Sequence, residues 1–389
     1  MVSRAVAPDS FDAGVSAEPD DVAGAIARWL LGSAIQLPRG EHRGAVAGWL
    51  DADGRPSFAY GEITGYFLSW LAFASAAHRS PRSVGTDTDL SQRAASAARW
   101  LARGECEAHL RVARIPIAVS RDEDWRDHVG FTFDLAMIWR GVEHAQAWLG
   151  LRLAGLERAL RAQLEARCER DGLRACWSLD PASPPPERWS TRPGPYQLKI
   201  AAVLLLSPRS TEPMRRSACA TLARWRAAGS PAPDALLHPY LYFLEGWTAL
   251  ALAGYPGFAP AAAGRLFGEV MNHQARDGSL PGRLGSCCGE RGRPERERAD
   301  VLAQALRLGA TMIAAGWLDL RDWEARLDRL ERRLRSCIAS DGAVLFHPRG
   351  ESPVNRNSWC SMFASQAVAF HERVRAGQPL PREWLALLV

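Results

Sequence analysis

The chain has 389 residues, 47% of them hydrophobic and 23% charged, a balance that builds a large globular core and excludes extended disorder. Its formal charge of +5 is spread along the sequence, with no basic block carrying interleaved aromatics, which excludes the usual patterns of nucleic-acid binding. No stretch reaches the roughly 20 uninterrupted apolar residues of a membrane span, and the N-terminus lacks the apolar core of a secretory signal. Eight cysteines scattered through helical patterns form no disulfide framework in so long a chain, so a cytoplasmic protein is expected. The basic residues are almost all arginine, and Lys199 is the single lysine.

Residues 1–20, rich in Pro, Asp, Ser and Ala, are expected to form a flexible tail, and 21–389 a single domain. From Asp21, DVAGAIARWLLGSAI reads as an amphipathic helix capped by its acidic pair. A DADGRP turn follows, and FAYGEITGYFLSWLAFASAA then runs from Phe58 into a strongly apolar helix. DTDL at 87–90 reads as a loop before the amphipathic SQRAASAARWLARGECE, and DHVGFTFDLAMIWRGVEHA (127–145) again places polar residues ahead of an apolar body. A helix over 156–170 leads through a Pro-rich loop to RWSTRPGPYQLKIAAVLLL. Another over 214–228 leads to LLHPYLYFLEGWTALALA, and a third over 261–274 leads through a Gly- and Arg-rich loop to RADVLAQALRLGATMIAAG. RDWEARLDRLERRLRSCIAS then precedes NRNSWCSMFASQAVAFHERV. Six helical pairs result, with a period of roughly 50 to 70 residues. The Asp-Gly dipeptides at 53–54, 171–172, 277–278 and 341–342 suit turns with positive φ. Such pairs bury one another's apolar faces either by closing into a ring, the inner helices apolar all round, or by stacking into an open solenoid.

The layout over residues 21–374 resembles the all-α (α/α)6 toroid enzymes, six-hairpin barrels that include sugar 2-epimerases, glucuronyl C5-epimerases, polysaccharide lyases and inverting glycoside hydrolases. More narrowly, five motif groups recur in order. They are Glu62-Ile-Thr-Gly-Tyr66; Phe133-Asp134 with Arg140-Gly141; His238-Pro-Tyr240 with Glu245-Gly246; Arg298-Ala-Asp300 with Ala303-Gln304-Ala305; and Trp359 with Met362-Phe363 and Gln366-Ala367. In that order they look like uncharacterised toroid proteins of bacterial exopolysaccharide biosynthesis clusters. The resemblance implies a carbohydrate-active enzyme and, through its gene setting, polysaccharide biosynthesis.

In a ring of alternating outer and inner helices the inner N-termini gather at one mouth, where their free N–H groups and dipoles favour an anionic ligand. The catalytic candidates there are Glu62, His238, Tyr242, Glu245 and Asp300. The substrate-binding candidates are Tyr60, Tyr66, His128, Asp134, Arg192, Tyr196, Lys199, Tyr240, Arg298, Arg356, Asn357 and Trp359. His238 and Tyr242 share a helix face at i, i+4 and suit proton abstraction beside a carboxylate, with Arg298, Arg192 or Arg356 as the clamp. His-Pro is also an ordinary helix start, and Glu62 an ordinary first-turn carboxylate. Glu245, deep in an apolar run, is expected either as a general acid with a raised pKa or as half of a buried pair with Arg298 or Arg192.

Epimerisation or elimination on an acidic sugar or oligosaccharide is the leading expectation. Inverting hydrolysis is the alternative, needing two carboxylates roughly 6.5–9.5 Å apart from among Glu62, Asp134, Glu245 and Asp300. A silent glycan-binding or scaffold protein and a peptide or isoprenoid cyclase are the others. Trp70, Trp139, Trp247 and Trp359 are candidate sugar-stacking surfaces. No metal or organic cofactor is expected: the adjacent Cys287-Cys288 make a poor zinc pair, and no Gly-rich nucleotide loop follows a strand. The sequence leaves the oligomeric state open.

Overall fold

The computed structural model describes residues 21–78, 87–103, 114–117, 124–180, 182–228, 235–284, 297–348 and 354–388. Helices follow in chain order as α1 (Val22–Gly32), α2 (Gly61–His78), α3 (Asp87–Ala102), α4 (Thr132–Trp148), α5 (Ala154–Glu165), α6 (Gln197–Leu206), α7 (Glu212–Ala228), α8 (Leu237–Leu252), α9 (Pro260–Met271), α10 (Ala299–Ala314), α11 (Leu320–Ser336), α12 (Ser358–Arg375) and the short α13 (Arg382–Ala386). The even-numbered helices from α2 to α12 pack each on the next, and α12 returns to α2. The ring is therefore closed, and the open solenoid is excluded. The odd-numbered helices from α1 to α11 form the outer layer, each packed on the inner helix that precedes it around the ring.

Sequence pattern and position agree. On α10 every residue from Ala299 to Met312 is buried, whereas α11 buries only Leu327, Leu330, Glu331 and Leu334. The first is apolar all round and the second carries one apolar stripe, whose leucines each contribute roughly 1.5–3 kcal/mol on burial. Where inner helices approach most closely, glycine makes it possible. A Cβ on Gly141 would lie 2.2 Å from the Gly65 carbonyl oxygen, joining α4 to α2, and one on Gly246 would lie 2.6 Å from the Leu198 carbonyl carbon, joining α8 to α6.

The connections into the inner helices form a hydrogen-bonded collar around one end of the ring. Eight short strands take part or lie nearby: β1 (Trp49–Leu50), β2 (Phe58–Ala59), β3 (Ile115–Pro116), β4 (Val129–Phe131), β5 (Cys168–Glu169), β6 (Gly172–Leu173), β7 (Cys176–Ser178) and β8 (Arg356–Asn357). β2 pairs with β3, β4 with β7 and β1 with β8, all antiparallel. Leu236 bridges Arg283, and the Ala299 amide donates to the Phe346 carbonyl. Five junctions between neighbouring units are stitched in this way, including the one between the last unit and the first. β2, β4, Leu236 and β8 directly precede or cap inner helices, so the collar fixes where those helices begin.

The expected elements need two adjustments. DTDL, expected as a loop, is the first turn of α3, because aspartates at a helix N-terminus complement its dipole. The helix expected over 156–170 is α5 and stops at Glu165, after which Cys168–Leu173 forms a hairpin of β5 and β6 that turns at Arg170-Asp171. All four Asp-Gly glycines adopt positive φ, from 77° at Gly54 to 143° at Gly172. No helix of the described residues is long and apolar enough to cross a membrane.

Gly141→Ala is expected to destabilise the fold by about 1–3 kcal/mol through overpacking against α2. Gly155→Ala, where a Cβ meets nothing within 4 Å, should be neutral or gain a few tenths of a kcal/mol; urea denaturation of the two variants reads the difference.

Candidate active site at the mouth of the ring

A line of polar side chains runs along the ring axis from its centre to the collar. At its base is Glu245 of α8, 5% exposed, with Lys199 Nζ of α6 at 2.8 Å and Arg307 Nη2 of α10 at 2.5 Å. Burial pushes the Glu245 carboxyl up, but the two cations more than reverse it and hold it below the ordinary range. Burial pulls Lys199 down to about 8 against the pull of Glu245. Four aromatic rings surround the ammonium, Tyr242 at 4.5 Å and Tyr66 at 5.3 Å being the nearest.

Above this pair, Gln304 Nε2 donates to Glu245 Oε1 at 3.2 Å. That bond orients the amide, because an ionised carboxylate accepts and does not donate. Gln304 Oε1 is thereby turned to His238 Nδ1, 2.8 Å away. An amide oxygen only accepts, so Nδ1 carries the proton and Nε2 keeps its lone pair; the tautomer is assigned from this network. Burial lowers the His238 pKa to about 4, outweighing nearby Asp300. At neutral pH His238 is thus an uncharged base held in one tautomer.

A second group lies on α2 and α4. Burial raises Glu62 to about 7, with Lys199 and a hydrogen bond from Tyr66 opposing. Burial and the neighbouring Glu62 raise Asp134 well above its ordinary value, while Tyr60 donates to it at 2.6 Å. Two carboxyls with raised pKa values on adjacent staves are suited to holding or passing a proton. Tyrosines join the two groups. The Tyr66 and Tyr242 hydroxyls are 3.3 Å apart, and the Tyr242 ring is 4.4 Å from that of His238.

Of the five catalytic candidates, Glu62, His238 and Tyr242 thus meet around the mouth, with Tyr60, Tyr66, Asp134 and Lys199 beside or beneath them. Glu245 is a correction. It is a buried ion and not a raised-pKa acid, and its partners are Lys199 and Arg307 rather than Arg298 or Arg192. Asp300 is also a locked ion. Arg298 grips it through Nε and Nη2 at 3.0 and 2.5 Å, Trp359 Nε1 donates at 3.1 Å, and these partners overcome burial to bring its pKa to about 2. Arg298 and Trp359 are accordingly tied to Asp300, close to His238.

The remaining candidates sit differently from expectation. Tyr240 faces the outer layer, stacked 5.6 Å from Phe243 and near Glu269 and Arg265 of α9; two residues from both His238 and Tyr242, it lies on the other side of their helix. Arg192 is exposed and paired with Glu187. Arg356 binds Asp341 and the Asp51 and Ala52 carbonyls, and the Asn357 side chain caps α12 through the Cys360 amide. None of the three expected arginines is free as a carboxylate clamp. Tyr196 directs its hydroxyl to the Ser190 and Arg192 carbonyls and so holds down the rim. His128 lies on that rim beside Asp180. Trp70, Trp139 and Trp247 are core, and Cys287-Cys288 lie outside the described residues.

Two groups escaped the sequence reading, and a third, Gln366, entered it only as part of a motif. Arg307 interrupts the apolar run of α10 three residues after Gln304, a spacing that puts both on one face. Gln366 of α12 accepts from Arg307 at 2.6 Å. Trp189 stands 41% exposed, its ring 6.3 Å from His238 and 5.3 Å from Tyr196; it lies in a Pro-rich loop with no periodicity to flag it. Away from the mouth, Asp328, Glu331 and His371 bring three ligand-type atoms within 4.8 Å. Arg335 and Arg375 already neutralise both carboxylates, so this is an ion network joining α11 to α12.

No protein-family model matches the chain, and no curated protein matches it in sequence. Its structure does have counterparts. It superposes on D-mannose isomerase with a TM-score of 0.67, covering 94% of this chain and 100% of that one at 14% identity. Cellobiose 2-epimerase from Spirochaeta thermophila gives 0.65, with 91% and 97% covered at 14% identity. An unsaturated glucuronyl hydrolase specific for heparin gives 0.64, with 91% and 98% covered at 12% identity. The protein is an all-α (α/α)6 toroid. At these identities the likeness concerns the fold, and chemistry has to come from the site.

Glu245→Ala leaves Lys199 and Arg307 buried without their anion, and is expected to cost about 3–5 kcal/mol in chemical denaturation.

Proposed function

We propose that the protein is a carbohydrate-active enzyme that moves a proton at a carbon next to a carbonyl or carboxyl group, as an epimerase, isomerase or lyase. The observation that carries this reading is His238, neutral and fixed with Nε2 unprotonated, within a file of hydroxyls that ends at protonatable Glu62. In this reading Nε2 removes the C–H proton. The negative charge that develops on the substrate oxygen is stabilised by the converging helix N-termini and by the ammonium of Lys199 beneath. Glu62, in its protonated form and working through Tyr66 and Tyr242, returns a proton to the opposite face or to a leaving group. Trp189 and Trp359 offer stacking surfaces at the rim. The named activities of two structural counterparts, sugar isomerisation and epimerisation, lend this chemistry further support.

Inverting hydrolysis is the second reading, favoured by one observation: Glu62 and Asp134 are carboxyls on adjacent helices that make no ion pair among the described residues, unlike Glu245 and Asp300. We further place the enzyme in polysaccharide biosynthesis, a placement supported by motif order. We assign it to the cytoplasm, a setting that suits its free thiols at Cys168, Cys176, Cys219 and Cys360.

Incubation with candidate reducing sugars and uronates in deuterium oxide separates the readings. Incorporation of solvent deuterium at the carbon beside the carbonyl is expected, whereas release of reducing ends without exchange points to hydrolysis. His238→Ala is expected to lower kcat by about 10²–10⁴-fold. With His238 required neutral and Glu62 protonated, kcat/KM should fall below about pH 4 as His238 gains a proton and above about pH 7 as Glu62 loses one. A profile still rising beyond pH 8 contradicts the role of Glu62.

A further inference from the structure

On the far side of Lys199 from the mouth, the last turns of α4, α6 and α8 surround a hollow. α6 has 10 residues against 16 in α8 and 17 in α4; because its Leu198 packs on Gly246, the tenth residue of α8, it starts deeper in the ring and ends about level with α8. That hollow, alongside α6, is a cavity of about 260 Å³. Arg140, Glu143 and His144 of α4 form a polar wall, Val203 and Ala249 an apolar one, and Leu388 of the C-terminal segment lies across it. That segment is pinned by the Leu387 carbonyl, which accepts from Gln366 at 2.7 Å, and by Trp384, stacked 5.7 Å from Phe370.

Arg140 has little to hold. Its hydrogen bonding among the described residues is one 3.5 Å contact from Nη2 to the Ala386 carbonyl, and it makes no ion pair there. The acids nearby are engaged elsewhere. Glu143 accepts from Ser207 Oγ at 2.5 Å, and Glu245 is held by Lys199 and Arg307. His144 is bonded to Ser69 and Ala386, and burial and Arg140 keep its pKa well below the ordinary value, so it adds no charge. A guanidinium offers a planar fork of donors that matches a carboxylate, and here that fork borders the cavity, with Glu245 and Glu143 within electrostatic reach but not in contact with it.

We propose that this cavity binds a small organic monocarboxylate, its carboxylate on Arg140 and its apolar body against Val203, Ala249 and Leu388. A single negative charge is favoured over two because Glu143 and Glu245 already border the space. The volume is below the roughly 300–1,000 Å³ typical of drug-sized pockets, which limits the ligand to about one ring. The site is separate from the mouth, with the Lys199–Glu245 pair as the partition between them.

Isothermal titration calorimetry on the full chain tests this with propionate, benzoate and cyclohexanecarboxylate as probes, and with neutral benzamide and dianionic phthalate as controls. At least one monocarboxylate should bind saturably, and both controls should bind at least about tenfold more weakly. Arg140→Gln should reduce that binding by about tenfold or more. Ala249→Phe, which fills the apolar side and keeps the charge, should reduce it similarly, with circular dichroism showing both variants folded. Glu62→Gln and His238→Ala, at the mouth, should leave it unchanged. Absence of binding by all three probes overturns the proposal. So does binding that survives both cavity variants, or binding lost in the mouth variants.

Discussion

Glu245 stands near the centre of the ring with Lys199 on one side and Arg307 on the other, three charged side chains from three consecutive inner helices. Removing charges from water costs several kcal/mol each, and only close pairing in a low-dielectric site returns it. The pairing therefore demands that α6, α8 and α10 keep their register. The close approach of α8 to α6 at Gly246 supplies the geometry, and the collar sets where α8 and α10 begin. In return the ion cluster gives the mouth a fixed electrostatic floor. Because Glu245 stays ionised, Gln304 has one orientation, and because Gln304 has one orientation, His238 has one tautomer. The chemistry proposed for the mouth depends on a charge that never touches the substrate.

The mouth contains two kinds of carboxyl, distinguished by their neighbours. Glu245 and Asp300 each have a cation in direct contact and are held ionised. Glu62 and Asp134 have tyrosine hydroxyls in contact instead, and burial raises their pKa values. Environments that drive like groups apart are the usual way to divide structural from acid–base roles. The far side of the same partition shows the converse, an arginine that makes no ion pair among the described residues. A buried ion cluster thus lies between the mouth, for which proton transfer is proposed, and the chamber proposed to take an anion.

The helical architecture was legible because inner and outer helices differ in pattern: α10 apolar throughout, α11 striped. The closing of the ring was legible as one of two ways to bury six such pairs, and the contact of α12 with α2 decides between them. Partners in the site were less legible. Glu245 meets Lys199 and Arg307 across 46 and 62 residues of sequence, and nothing local in α8 says which cation arrives. The expected arginines failed for a related reason: Arg192 and Arg356 belong to connecting segments, whose course is set by collar hydrogen bonds and not by helical period. Tyr240 could have been placed correctly, since its spacing from His238 and Tyr242 already turns it away. Trp189 and the lower cavity carry no periodic signal.

The link from Glu245 through Gln304 to His238 is most directly tested by 15N NMR of the histidine rings near pH 7, in the wild type and in Gln304→Glu. The account predicts that His238 is neutral in the wild type, with Nδ1 protonated and Nε2 bearing the lone pair. In the variant a second carboxylate facing Nδ1 should raise its pKa from about 4. A wild-type His238 that is protonated at pH 7, or that carries its proton on Nε2, would contradict the account.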